Sequence, residues 1–344
     1  MKRVVAIISC FILAVSFFNS CNNEKFTYKI ANRIQVEGDG GWDYIAVDEP
    51  TGRLFISHST ITQVVDSRTG ALIGTIEDTK GVHGIAIDHE DNKAFISCGR
   101  DSTVTVVNLG TLEPIAKVKV TGANPDAIMY DKFSGRVFVY NGRSADATVI
   151  DAVSDTVVAT IPLDGKPEFS VNDGKGKVYV NIEDKGLLTV IDSKNLTVEN
   201  VWSLAPGEEP TGLALDNTNH LLFSVCSNKL MVIMSAIDGK IIDTVAIGEG
   251  SDGCAFDPVL KRAYSSNGEG TLSVVQVKEN NSFELLGTLA TNRSARTICV
   301  DTKTHHVYLP YAEYEPAPEA TEDNPHPRPK MKPGTFTILD IVPF

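Results

Sequence analysis

GIAIDHEDNKAFIS, running from Gly84 to Ser97, is the stretch on which the fold turns. A short apolar run ends at Asp88, a polar turn holding Asn92 follows, and a second apolar run resumes at Ala94. Two apolar segments of strand length joined by an Asp-led turn are hairpin chemistry, because Asp and Asn bond the turn backbone and tolerate its left-handed positions.

The same pattern recurs along the chain. YIAVDEPTGRLFIS, AIMYDKFSGRVFVY, FSVNDGKGKVYVNI, GLALDNTNHLLFSV, GCAFDPVLKRAYSS and TICVDTKTHHVYLP repeat it at intervals of 40 to 44 residues, centred on Asp48, Asp131, Asp173, Asp216, Asp257 and Asp301. Two further strand-like runs follow each copy, as in ATVIDAVSDTVVATIPL and LLTVIDSKNLTVENVWSL. Four strands per unit of about forty residues is the signature of a propeller blade. The expected fold is therefore all-β, a seven-bladed β-propeller of four-stranded antiparallel blades. After the seventh copy only one clear strand remains, TFTILDI, so the segment Tyr28–Val36 is expected to complete the last blade and hide its edge. That makes residues 27–344 one domain with no internal linker, a length that a closed all-β domain reaches.

The N-terminus reads as an export signal over residues 1–20. Lys2 and Arg3 precede an apolar run from Val4 to Phe18, too short to span a bilayer comfortably. Phe18-Asn19-Ser20-Cys21 resembles a bacterial lipobox, which makes Cys21 the expected lipidated N-terminus and residues 21–26 a short tether. Asn19 departs from the usual small residue there, so ordinary cleavage nearby stays open. The expected location is the bacterial cell envelope, lipid-anchored on the outer-membrane or periplasmic side, with a soluble periplasmic form as the alternative. Membrane contact is expected through the anchor alone, and the chain as a monomer.

A formal net charge of -13 repels phosphate backbones, and no basic patch offsets it, which argues against a general nucleic-acid binder. Beyond Cys21 the cysteines are Cys98, Cys226, Cys254 and Cys299, with no CxxC or Cys/His cluster. They read as buried free thiols, since facing sheets lie too far apart for a disulfide between neighbouring blades.

Residues Ala147–Ile182 and their siblings resemble the YVTN repeat, whose second-strand ending appears here as VFVYN, VYVNI, LFISH and AFISC. The resemblance covers all seven units and points to the YncE-like exported propellers. Related propellers include lactonases, streptogramin lyases and the propeller domains of copper or quinone enzymes, so the likeness implies a fold and leaves the activity open.

In a propeller the loops entering the inner strands and leaving the second strands share one face, around the central channel. Counting back five residues from each repeat Asp gives the residues expected at that mouth: Asp43, His83, Asp126, Glu168, Thr211, Asp252 and Arg296. An apolar channel needs no such ring. Its acids and imidazole suit a divalent cation, with Asp43, His83, Asp126, Glu168 and Asp252 as candidate ligands, or a polar ligand. The alternative is a hydrated channel whose acids cap turns.

Ten residues after the repeat Asp, with one shorter turn in the fourth unit, come His58, Cys98, Asn141, Ile182, Cys226, Asn267 and Tyr311, expected to begin loops on the same face. That count would make His58 and His83 neighbours. Arg100 and Arg143, in loops of units two and three, are candidate contacts for an anionic group. The basic residues before the second strands, such as Arg53, Arg136, Lys177, Arg262 and His306, belong to the opposite face and read as structural.

The segment Tyr311 to Gly334 reads YAEYEPAPEATEDNPHPRPKMKPG, an insertion between the second and third strands of the last blade that rises beside Arg296. No GxSxG, HExxH or phosphate-cradling glycine loop is present. No catalytic residue is therefore assigned. The expected function is binding of a small polar ligand or an envelope protein at the mouth. The alternatives are a metal-dependent lactonase or lyase using the ring acids with His58 or His83 as base, and an accessory protein handling a metal or redox cofactor.

Overall fold

Buried aspartates of the repeat set the turn geometry in blades two, five, six and seven. Asp88 Oδ1 accepts the backbone N–H groups of Glu90 and Asp91, Asp216 those of Thr218 and Asn219, Asp257 those of Val259 and Leu260, and Asp301 those of Lys303 and Thr304. Each carboxylate replaces the water that a tight turn would otherwise need, and the strands leave the turn already in register. In the computed structural model, which describes residues 26–344 apart from 280, 320, 322–326 and 328, these turns join the two inner strands of their blades. The expected leader, Cys21 and nearly all of the tether lie outside the described residues, as does the middle of the insertion.

The inner strands are Trp42–Asp48, Val82–Asp88, Pro125–Asp131, Pro167–Asn172, Pro210–Asp216, Ser251–Asp257 and Cys299–Asp301, for blades one to seven in order. The seven sheets each hold four strands, antiparallel throughout. The only helical turn among the described residues is the 3₁₀ segment Glu183–Lys185.

Apolar side chains of neighbouring blades interdigitate in seven clusters, one at each junction. The seam between last and first blades is packed like the others. Tyr308, Phe336 and Ile338 of blade seven meet Trp42, Leu54 and Ile56 of blade one, and Trp42 stacks on Phe336 with ring centres 5.9 Å apart. Blade seven has Tyr28–Gln35 as its outer strand, paired antiparallel with Thr337–Pro343 so that Gln35 faces Thr337 and Tyr28 faces Pro343. Thr337 in turn faces Tyr311. The Gln35 end therefore lies on the mouth side, and the chain enters the fold from the opposite face.

That opposite face is stapled by the basic residues. Arg53 donates to Leu109 O, Lys93 to Ala152 O, Arg136 to Ser193 O and Arg262 to the Tyr28 hydroxyl, each reaching the next blade. His306 sits 2.6 Å from Asp340 within blade seven. Lys177 pairs with Glu199 inside blade four. Cys98, Cys226 and Cys254 are buried free thiols, and Cys299 is a partly buried one.

The insertion leaves the second strand of blade seven as a short ribbon. Tyr314 bridges Met331, Glu315 N–H donates to Lys330 O at 2.8 Å, and Lys332 N–H donates to Glu313 O at 2.8 Å. Met331 packs on the seam cluster, which ties the returning limb to the core.

Candidate functional site at the channel mouth

The backbones of the mouth residues are fixed by polar side chains from neighbouring strands. Ser97 Oγ donates to Asp126 O, Asn181 Nδ2 to Thr211 O at 2.9 Å, Ser266 Oγ to Arg296 O at 2.5 Å, and Thr297 Oγ1 to Asp43 O at 2.7 Å. Each bond crosses from one blade to the next. The second residues of six inner strands, Asp43, His83, Asp126, Glu168, Thr211 and Asp252, and Arg296 ahead of the seventh strand, are thereby held around the channel mouth.

Six of the seven residues counted back from the repeat Asp line one cavity: Asp43, Asp126, Glu168, Thr211, Asp252 and Arg296. Tyr44, Lys166 and Glu183 complete it, and its volume is about 350 Å³. The seventh, His83, stands beside it, with Nδ1 at 2.6 Å from Asp43 Oδ2 and 3.5 Å from Asp126 Oδ1. Five carboxylates thus face two cations and one imidazole.

The two cations are divided among four of the acids. Arg296 bonds Asp252, approaches Asp43 Oδ1 at 3.4 Å, and lies 5.1 Å from the centre of the Trp42 ring. Lys166 reaches Glu168 at 2.5 Å and also bonds Glu183. Asp126 has neither, and His83 is its one ion-pair contact among the described residues.

Burial makes this charge balance costly. It raises the pKa of Asp126, opposed by His83 and reinforced by Asp43. Burial and the Asp126 charge push Glu168 up to about 8, because Lys166 is shared with Glu183 and does not neutralise it alone. Burial likewise raises Asp252 against the opposing charge of Arg296. For His83 burial disfavours the imidazolium, but the Asp43 bond and the charges of Asp126, Asp43 and Glu168 outweigh it and raise the pKa. Burial and the surrounding acids hold the Tyr44 phenol well above its ordinary value, which keeps it a neutral donor. The mouth is a partly desolvated site with excess negative charge, the arrangement that favours a cation or a cationic group.

The other count places its residues elsewhere. His58, Cys98, Asn141, Ile182, Cys226, Asn267 and Tyr311 are the last residues of the second strands and are all buried between blades. Side chains alternate across a strand, so the residue that ends the strand points into the sheet-to-sheet packing, and the next one begins the loop. His58 is 1% exposed, bonded to Gln63 through Nδ1 at 2.7 Å and packed on Phe336, so it neither lines the mouth nor meets His83. Arg100 and Arg143 lie exposed on loops of blades two and three, outside the cavity.

Tyr311 borders a second, larger hollow of about 1080 Å³ beneath the insertion, bounded also by Asn292, Arg293, Tyr314, Pro316 and Lys332. Arg296 borders both spaces. Tyr44, Lys166 and Glu183 were not anticipated from the sequence. Lys166 stands two residues before Glu168, and Glu183 is the first residue after the second strand of blade four, so parity along the strand was the signal for both.

No family model and no curated protein matches the chain. Among solved structures it resembles hydrazine synthase of Kuenenia stuttgartiensis, with a TM-score of 0.70 at 15% identity over 80% of this chain and 94% of that one. At that identity the likeness carries the propeller fold and nothing about chemistry.

Proposed function

We propose that this chain is a cell-envelope binding protein that takes a cation or a cationic polar ligand, free or on a partner protein, into the mouth of its propeller, without catalysis. The observation that carries this reading is the cavity itself, where five carboxylates face two cations at the end of the channel. Each cation is shared by two acids, and Asp126 has no cation to itself. A ligand with positive charge relieves that excess, whereas an anion adds to it. The four repeated endings quoted above support membership of the YncE-like exported propellers, and the leader-like N-terminus supports export with Cys21 as anchor. Because the described chain enters blade seven on the opposite face, a lipid on Cys21 leaves the mouth turned away from the membrane.

The test is calorimetric titration of the purified chain with putrescine, Mn²⁺ and citrate. Binding of putrescine or Mn²⁺ that is lost in Asp126→Asn and Asp252→Asn, with citrate silent, supports the reading. Citrate binding alone overturns it, and lactone turnover that the same substitutions abolish overturns the absence of catalysis. Cys21→Ser is expected to move the protein from the membrane pellet to the soluble fraction, and an unchanged distribution contradicts the anchor.

A further inference from the structure

We propose that Asp43, His83 and Asp126 form a three-ligand site for a divalent transition-metal ion at the edge of the mouth cavity. The proposal rests on the mouth-binding reading and narrows it to one ligand class.

One donor atom from each residue lies within 4.8 Å of the other two. His83 Nδ1 is 2.6 Å from Asp43 Oδ2 and 3.5 Å from Asp126 Oδ1. Two ligands bound at about 2.1 Å and at right angles on one ion stand about 3 Å apart, so these separations bracket what an ion requires.

Two further features fix the donors. The far edge of the His83 ring is packed against the loop after the second strand of blade two, where a Cβ on Gly99 would come within 2.8 Å of Nε2 and 2.9 Å of Cδ2. A side chain there would crowd the imidazole, whose Nδ1 is turned toward both carboxylates. Asp43 divides its oxygens, with Oδ1 facing Arg296 at 3.4 Å and Oδ2 facing His83. Arg296 thereby orients the carboxylate from outside the ligand set, as outer-shell partners of metal ligands do. Asp126 is the complementary case, a carboxylate held at the cavity wall with no lysine or arginine within ion-pair distance among the described residues.

The donor set chooses the ion. One imidazole with two carboxylates suits Mn²⁺, Fe²⁺, Co²⁺ or Zn²⁺ over Ca²⁺ and Mg²⁺, which prefer oxygen alone. Three protein ligands leave coordination positions open toward the cavity, where water or an oxygen atom of a second ligand fits.

The experiment is a titration of the chain, freed of metal with EDTA, using Co²⁺ and Mn²⁺ with Ca²⁺ for comparison. The expected result is one equivalent of Co²⁺ or Mn²⁺ bound more tightly than Ca²⁺, and weakened at least about 10-fold by His83→Ala or Asp126→Asn, since loss of a ligand costs no less than loss of an outer-shell partner. Arg143→Gln, on an exposed loop outside the cavity, is expected to retain the ion. Spin-echo modulation from Mn²⁺ bound to the unaltered chain should report one imidazole nitrogen, a readout that depends on no variant folding. Binding unaffected by His83→Ala, or Mn²⁺ with no nitrogen coupling, overturns the site. No ion bound while putrescine still binds overturns the metal proposal and leaves the mouth-binding reading standing. Neither bound contradicts both.

Discussion

The Arg296 guanidinium lies 3.4 Å from Asp43 Oδ1, across the seam where the last blade meets the first. The same group bonds Asp252 of blade six, so one side chain ties three blades together at the mouth. Arg296→Met leaves two largely buried carboxylates without their cation. The expected loss is about 2 kcal/mol, below the usual cost of breaking a buried pair because the Arg296 side chain is 37% exposed and partly screened. Urea unfolding checks it, as a lower midpoint with an unchanged slope. Arg296→Lys should recover little, since an ammonium lacks the planar fork that reaches both acids.

The turn aspartates act at the other end of the strands. Asp88 is fully buried and accepts two backbone N–H groups. Asp88→Ala is expected to cost about 1–2 kcal/mol in urea unfolding by leaving those donors unsatisfied. Mn²⁺ and putrescine binding at the mouth should be unchanged in the same variant.

Glu168 sets a pH dependence with a definite sign. Its folded-state pKa is raised from 4.5 to about 8 by burial and the Asp126 charge. Between those values the folded chain holds a proton that the unfolded chain has released, so this contribution to stability is complete below pH 4.5 and is lost as the pH climbs toward 8. The melting temperature of the metal-free chain should fall across that window, and Glu168→Gln should make the fall shallower.

The insertion is expected to be dispensable for folding. Tyr311 pairs directly with Thr337, and Ala312 and Phe336 are both buried in the seam, where Met331 is the insertion's contribution. Replacing Glu315–Lys332 with a short turn removes the Met331 contact and should lower the melting temperature by a few degrees at most, roughly the effect of 1 kcal/mol in a chain of this size.

The blade count was legible because the repeat Asp bonds donors of its own turn, backbone N–H groups in six blades and the Thr51 hydroxyl with Arg53 in the first, a task no apolar residue can perform, and a turn made seven times leaves seven copies. The mouth ring was legible for the same reason. A fixed offset of five from Asp48, Asp131 and Asp257 lands on Asp43, Asp126 and Asp252, and all three line the cavity. The offset of ten failed by one residue. His58 and Tyr311 end strands, and strand alternation turns them into the inter-blade packing. Lys166 and Glu183 escaped the fixed counts because they flank the first two strands of blade four at positions other than Glu168 and Ile182, on which the counts landed, and the strand pairing brings them together beside Glu168.

The central claim is that the mouth is built for positive charge. Melting curves of the purified chain in Mn²⁺, putrescine, sulfate and citrate, each at matched ionic strength, test it most directly through the link between binding and stability. The account predicts that Mn²⁺ or putrescine raises the melting temperature, that neither anion does, and that Asp126→Asn removes the rise. A rise with sulfate or citrate, or a Mn²⁺ and putrescine effect untouched by Asp126→Asn, would contradict it.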